Sequence, residues 1–73
     1  MKGFIEVTQI DDVNKKSDKI LININNIVRV NSVNETYYKS GIVMVTNMGY
    51  LVVETYEEIK QKIKEAQEQN NGK

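Results

Sequence analysis

The chain has no cysteine, no histidine and no proline among its 73 residues. It therefore forms no disulfide, and it lacks both the most versatile acid–base side chain and the strongest nucleophile used in catalysis. A chain this short buries only about 60% of its unfolded surface, and small folds of this kind rely on disulfides, a metal or association. Association is the aid that remains. Because the usual catalytic side chains are missing, we expect a non-enzymatic protein with no cofactor and no small-molecule substrate.

Neither sign of charge is in excess, because ten basic residues balance ten acidic ones. A formal net charge of zero creates no global field that would favour nucleic acid or an anionic membrane. No apolar run approaches the ~20 residues that span a bilayer, and the N-terminus lacks the apolar segment of ~7–15 residues found in signal peptides. These absences predict a cytoplasmic protein without a membrane partner.

Alternation of apolar and polar residues predicts five strands separated by polar or glycine-containing turns. The predicted strands cover residues 4–10, 20–24, 27–33, 41–47 and 50–54. Two longer polar segments, 11–18 and 34–40, are predicted to be loops, and Asn47 and Gly49 supply the positive φ angles of a hairpin turn. In the third strand the alternation predicts Val28 and Val30 on one face, with Ile27 on the other.

The segment Thr55-Tyr56-Glu57-Glu58 matches a capping box and predicts a helix that begins at Tyr56. Its inward stripe is predicted to contain Ile59, Ile63 and Ala66. The sequence therefore indicates one small α+β domain over residues 1–73, with an ordered core at about 4–66 and a frayed tail at 67–73. We expect a twisted antiparallel sheet of four to five strands in sequential order, a meander, with the C-terminal helix on one face.

The fourth and fifth predicted strands are apolar on both faces, and one helix cannot cover both. The residues expected under the helix are Ile42, Met44, Leu51 and Val53. The residues expected on the uncovered face are Val43, Val45, Tyr50 and Val52, with Leu21 and Ile27 added. Because such an apolar patch is unusual on a monomer, this face is the predicted interaction surface for a second copy or another protein. The alternative is a sheet that coils as small barrels do and partly buries both sets.

The alternative function, nucleic-acid binding, would use Arg29, Tyr37, Tyr38 and Lys39 as a stacking and phosphate-binding surface. The same tyrosine rings are also suited to shielding a sheet face or lying in a protein interface, which is the preferred interpretation.

No metal or phosphate site is predicted from the acidic residues or the glycines. Asp11, Asp12 and Asp18 lack the spacing of a calcium-binding loop and are interpreted as a hairpin tip. The four glycines match neither of the familiar phosphate-binding motifs.

The runs ILININNIVRV at 20–30 and GIVMVTNMGYLVVETYEEI at 41–59 resemble the flagellar FlbD/SwrD family. Proteins of that family similarly have an N-terminal strand, then a strand pair with the pattern N-x-x-x-I, and then a final segment with the pattern T-x-G-x-x-x-x-V-x-E-S-x-E-E. The resemblance covers most of the chain from Phe4 to Ile63 and includes no catalytic motif; the loops at 11–18 and 31–40 are longer here. The same segment also resembles the first half of a LytTR domain, up to the helix, which implies DNA as the alternative partner.

Overall fold

The computed structural model describes residues 3–11 and 13–68, which form an antiparallel sheet and one α-helix. The elements are β1 (Phe4–Ile10), β2 (Ser17–Asn23), β3 (Ile27–Ser32), β4 (Ser40–Met44), β5 (Gly49–Val52) and α1 (Tyr56–Glu68). A 3₁₀ turn at Ile24–Asn26 links β2 to β3. The predicted α+β class is confirmed.

The predicted bounds of β2, β4 and β5 differ from the observed ones, because backbone pairing, and not hydrophobicity, determines where these strands begin and end. β2 begins at Ser17 because its ladder with β1 runs without interruption from the Phe4–Asn23 pair to the Ile10–Ser17 pair. The polar start of β2 is therefore held by backbone hydrogen bonds that an apolar alternation does not reveal. β4 and β5 are shorter than predicted, since the chain turns after Met44 and bends after Val52.

The strand order is β2-β1-β5-β4-β3, so the predicted sequential order is wrong at one point, where β2 does not pair with β3. β3, β4 and β5 follow one another as a meander, but β1 pairs with β5, which joins the N-terminal hairpin to the rest. β2 and β3 are consequently the two edge strands, although only three residues separate them along the chain. The two edges must therefore converge at the 3₁₀ turn, and the sheet coils.

The core lies between the sheet and α1, which contacts β1 and β3. Its buried side chains are Ile5, Val7, Ile22, Ile42, Val52, Ile59 and Ala66. The predicted capping box is confirmed: the Thr55 N–H donates to Glu58 Oε1 at 2.8 Å, and the Glu58 N–H donates to Thr55 Oγ1 at 3.1 Å. These bonds satisfy two orphan donors and fix the start of α1 at Tyr56.

α1 continues to Glu68, two residues into the segment that was predicted to fray. The remainder of that predicted tail, residues 69–73, lies outside the described residues. In the described part of the chain, no helix combines the length and apolar character needed to cross a bilayer.

A β-bulge at Val28 overturns the predicted faces of β3. Ile27 pairs with Met44 and Arg29 pairs with Val43, so Val28 is the extra residue, and it is 61% exposed. The bulge resets the alternation, and both Ile27 and Val30 pack against the core. Ile27 therefore does not belong to the uncovered face.

Candidate interaction surface

The pairing of β4 with β5 decides which side chains point towards α1. Ile42 pairs with Tyr50, and Ser40 pairs with Val52. Directly paired residues share a face of the sheet, and Ile42 and Val52 are fully buried in the core with the helix residue Ile59. The residues between them, such as Leu51, must therefore point to the opposite side, which we call the outer face.

The outer face keeps several large apolar side chains in contact with solvent. Leu21 on the edge strand β2 is 53% exposed and Val53, just after β5, is 42% exposed, while Leu51 on β5 and Val43 on β4 are half-buried. Ile10 has the same parity on β1 and is buried, yet it lies outside the core cluster under the helix. The described helix packs on the other side of the sheet and leaves this face uncovered.

Two of the four residues predicted for the uncovered face lie on the wrong side. Val52 is fully buried in the core, and Tyr50 packs against the same core. The error is one of register: the turn after β4 makes Gly49 the partner of Val43, so Tyr50 and Val52 share a face with Ile42 and not, as predicted, with Val43. Val43 does lie on the outer face, and Val45, beyond the end of β4, is exposed.

The same register error misplaced Leu51 and Val53, which were predicted to pack under the helix. Leu51 pairs with Gly41 on the outer face, and the Val53 N–H donates to the Thr8 carbonyl at 2.9 Å. The predicted turn is present, and φ of Asn47 is +71°, but Gly49 does not have the predicted positive φ because it already pairs as the first residue of β5.

Gly41 forms a gap in the outer face. A Cβ atom at this position would lie 3.9 Å from Val33 Cγ2 and 4.0 Å from Leu51 Cδ2, which are ordinary contact distances. The backbone of Gly41 does not have a positive φ, so its conformation does not require glycine. Glycine inside a strand weakens the strand and often marks a place where another group approaches closely.

The junction between the two halves of the sheet is held by a carboxylate. Val53 donates to the Thr8 carbonyl, but the Thr8 N–H turns instead to the Glu54 side chain, at 2.8 Å from Oε1 and 3.0 Å from Oε2. Thr8 Oγ1 donates to Glu54 Oε2 at 2.9 Å, and the fully buried Ser40 Oγ donates to the Glu54 carbonyl at 2.7 Å. Glu54 thus completes the pairing of β1 with β5 where the regular ladder ends.

The four residues of the alternative nucleic-acid surface do not form one exposed cluster. Arg29 is on β3 and pairs with Val43, whereas the other three lie in the loop before β4. The Lys15 ammonium lies 4.8 Å from the centre of the Tyr37 ring, Tyr38 is half-buried, and Lys39 Nζ donates to the Glu35 carbonyl at 2.7 Å. One tyrosine face and one ammonium group are thus already engaged within the chain, and nucleic-acid binding stays a prediction.

The hairpin tip after β1 is organised by Asp11. Its Oδ1 accepts the Val13 N–H at 2.9 Å, and its Oδ2 accepts the Asn14 side-chain amide at 2.9 Å. These bonds hold the pKa of Asp11 below its ordinary value, the backbone bond from Val13 contributing most. Within the described residues no three acidic side chains are close enough to hold a metal ion together. Asp12, which the sequence analysis grouped with Asp11 and Asp18, lies outside the described residues.

No protein-family model, curated protein or solved structure matches the chain. The resemblances to the FlbD/SwrD family and to the LytTR domain therefore stay predictions.

Proposed function

We propose that this protein is a small, non-catalytic interaction module that self-associates through the outer face of its sheet. The observation that carries the proposal is the exposure of Leu21 and Val53 on the side that α1 does not cover, where Val43 and Leu51 are only half-buried. Removing such side chains from water is favourable by about 25 cal/mol per Å² of apolar surface.

Charge supports a second copy as the partner. The outer face carries Glu6 on β1, while Lys19 on β2 and Arg29 on β3 lie towards its two edges. A second copy related by a two-fold axis presents the same mixed set, so a carboxylate of one copy has basic groups of the other within its reach. The zero net charge of the chain removes any overall repulsion between copies.

The size of the face sets the expected strength of the association. Five strands spaced by about 4.8 Å would give a flat sheet a width of about 24 Å and an area of about 400–500 Å², and the coiling of this sheet makes the face smaller than that. Stable complexes bury about 800 Å² on each partner. We therefore expect a weak, concentration-dependent dimer.

Sedimentation velocity over a concentration series tests the proposal with matched variants. Val53→Lys places a charge in the middle of the outer face, whereas Val13→Lys makes the same change in the hairpin loop at a side chain that is 85% exposed. The wild type and Val13→Lys should dimerise with the same affinity, and Val53→Lys should dimerise at least about 10-fold more weakly because its ammonium would lose water in the interface. Circular dichroism checks that each variant is folded.

Two outcomes contradict the proposal. One is a wild-type protein that stays monomeric at about 1 mM, where even a weak dimer with a dissociation constant in that range would be visible. The other is a dimer that Val53→Lys leaves intact, which would place the interface elsewhere on the molecule.

A further inference from the structure

A separate opening lies between the edge strand β3 and α1. Val30, Tyr56, Lys60 and Ile63 line this cleft, which has a volume of ≈ 220 Å³. It belongs to the helix side of the molecule and shares no residue with the outer face. Its geometry combines three features that together describe one kind of partner.

The first feature is the open backbone of β3. The Val33 N–H donates to the Lys39 carbonyl at 2.8 Å. This bond shows which residues of β3 form the hydrogen-bonded pairs with β4 and with the segment leading into it. In an antiparallel pair the residues alternate, so Arg29 and Asn31 direct their N–H and C=O groups to β4. Val30 and Ser32 therefore direct theirs away from β4, to the edge of the sheet, where a further strand can pair.

The second feature is an apolar floor directly beside that edge. The Val30 side chain packs against the core, and Ile63 is half-buried on the facing side of α1. Tyr56, at the start of the helix, is 39% exposed and closes the cleft on one side. This floor accepts an aliphatic side chain of a strand that pairs with β3, because alternate side chains of such a strand point towards the helix.

The third feature is the charge of the rim. Lys60 and Lys64 are exposed and lie one turn apart on α1, and both also line the adjoining depression along the helix. Glu57 lies at the start of that depression and is the one acidic side chain among the described residues that line it. The rim therefore favours a carboxylate on the incoming strand. This carboxylate would lie near Lys60 and Lys64, past the first turn of the helix where Glu57 lies.

We propose that an extended acidic peptide from another protein binds this cleft as a sixth strand alongside β3. Its backbone pairs with Val30 and Ser32, an aliphatic side chain enters between Val30 and Ile63, and a carboxylate contacts Lys60. This is the general mode in which a peptide adds to a sheet edge and uses a neighbouring groove for specificity. A second copy does not fit, because the charged side chain of its own β3 is basic Arg29.

Selection from a phage-displayed library of random heptapeptides tests the proposal. Ser32→Pro removes an N–H that points to the open edge but not to β4, and proline is tolerated in an edge strand at such a position. Ser32→Ala is its matched control, and Lys60→Glu reverses the charge of the rim. Lys19→Glu makes the same reversal on the other edge strand, β2.

The wild type, Ser32→Ala and Lys19→Glu should enrich the same peptides, rich in β-branched residues with at least one Asp or Glu. Those peptides should bind Ser32→Pro and Lys60→Glu at least 10-fold more weakly. If Ser32→Pro does not fold, the reversal at Lys60 alone decides the result. No enrichment with the wild type, or peptides whose binding is unaffected by Lys60→Glu, would overturn the proposal.

Discussion

The two faces of the sheet are built from the same kinds of side chain but differ in how far those side chains are exposed to solvent. Ile42 is fully buried, and its neighbour Val43 is only half-buried, although both are β-branched residues of the same short strand. The difference lies in the side to which they point, since Ile42 belongs to the core cluster with the helix residue Ile59, whereas Val43 lies on the outer face. The helix therefore buries Ile42 but not Val43, although Ile10 on the outer face is buried without it.

The largest expected effect comes from removing the helix contact with the core face. Ile59→Ala truncates a fully buried side chain and should lower the free energy of unfolding by about 2–5 kcal/mol. Leu21→Ala, at a side chain that is half-exposed on the outer face, should change it by no more than about 0.5 kcal/mol. Urea denaturation of both variants measures the contrast, and equal losses would show that the two faces do not differ as described.

An intermediate effect is expected at the carboxylate that joins the halves of the sheet. Glu54→Ala leaves the Thr8 N–H and hydroxyl without their acceptor and should cost about 1–3 kcal/mol. Glu54→Gln keeps one acceptor oxygen and should cost less than the alanine variant. Thermal unfolding compares them; a glutamine variant as damaged as the alanine variant would mean that the negative charge itself is required.

The smallest change in the free energy of unfolding is expected for a substitution on the outer face. Gly41→Ala should raise the free energy of unfolding by about 0.4–1 kcal/mol, because the new methyl group meets only ordinary contacts and the unfolded chain loses freedom. Chemical denaturation at a concentration where the protein is monomeric measures it. Destabilisation would show that the outer face is closed at this point and has no room for an added group.

Local signals in the sequence predicted local structure well. The start of α1 follows from Thr55 and Glu58 alone, because the capping box is complete within four residues. β1 follows from the alternation of Ile5 and Val7 with polar neighbours, and both are buried as expected. In each case the sequence signal lies within a few residues along the chain, although Ile5 and Val7 are buried by distant residues of the core.

Features set by distant contacts could not be predicted in the same way. The pairing of β1 with β5 joins Gln9 to Val52, and neither residue carries a signal for the other. The face of Val52 depends on the turn length after β4, and a shift by one residue reverses every side chain of the strand. The bulge at Val28 is equally invisible, because an alternating pattern contains no sign of an extra residue.

The apolar face outside the helix was therefore predicted in kind but only partly in its residues, and its role in interaction stays a prediction. Two apolar strand faces and a single helix leave one apolar face outside the helix, whichever register applies. On that face Ile10 is buried and Val43 and Leu51 are half-buried, which is the partial burial expected from the alternative of a coiled sheet. Val43 was assigned correctly to that face, whereas Leu51 and Val53 were exchanged with Tyr50 and Val52 through one error of register. A sequence pattern can reveal that a sheet has a surplus apolar face before it reveals which residues form it.

The most direct test of the outer face is an isotope-filtered nuclear Overhauser measurement on a mixture of labelled and unlabelled protein. It detects methyl groups of one copy that lie close to protons of another. We predict intermolecular signals from Leu21, Leu51 and Val53, and none from the core residues Ile42 and Ile59. Signals confined to other residues, or no intermolecular signals in a concentrated sample, would contradict the account.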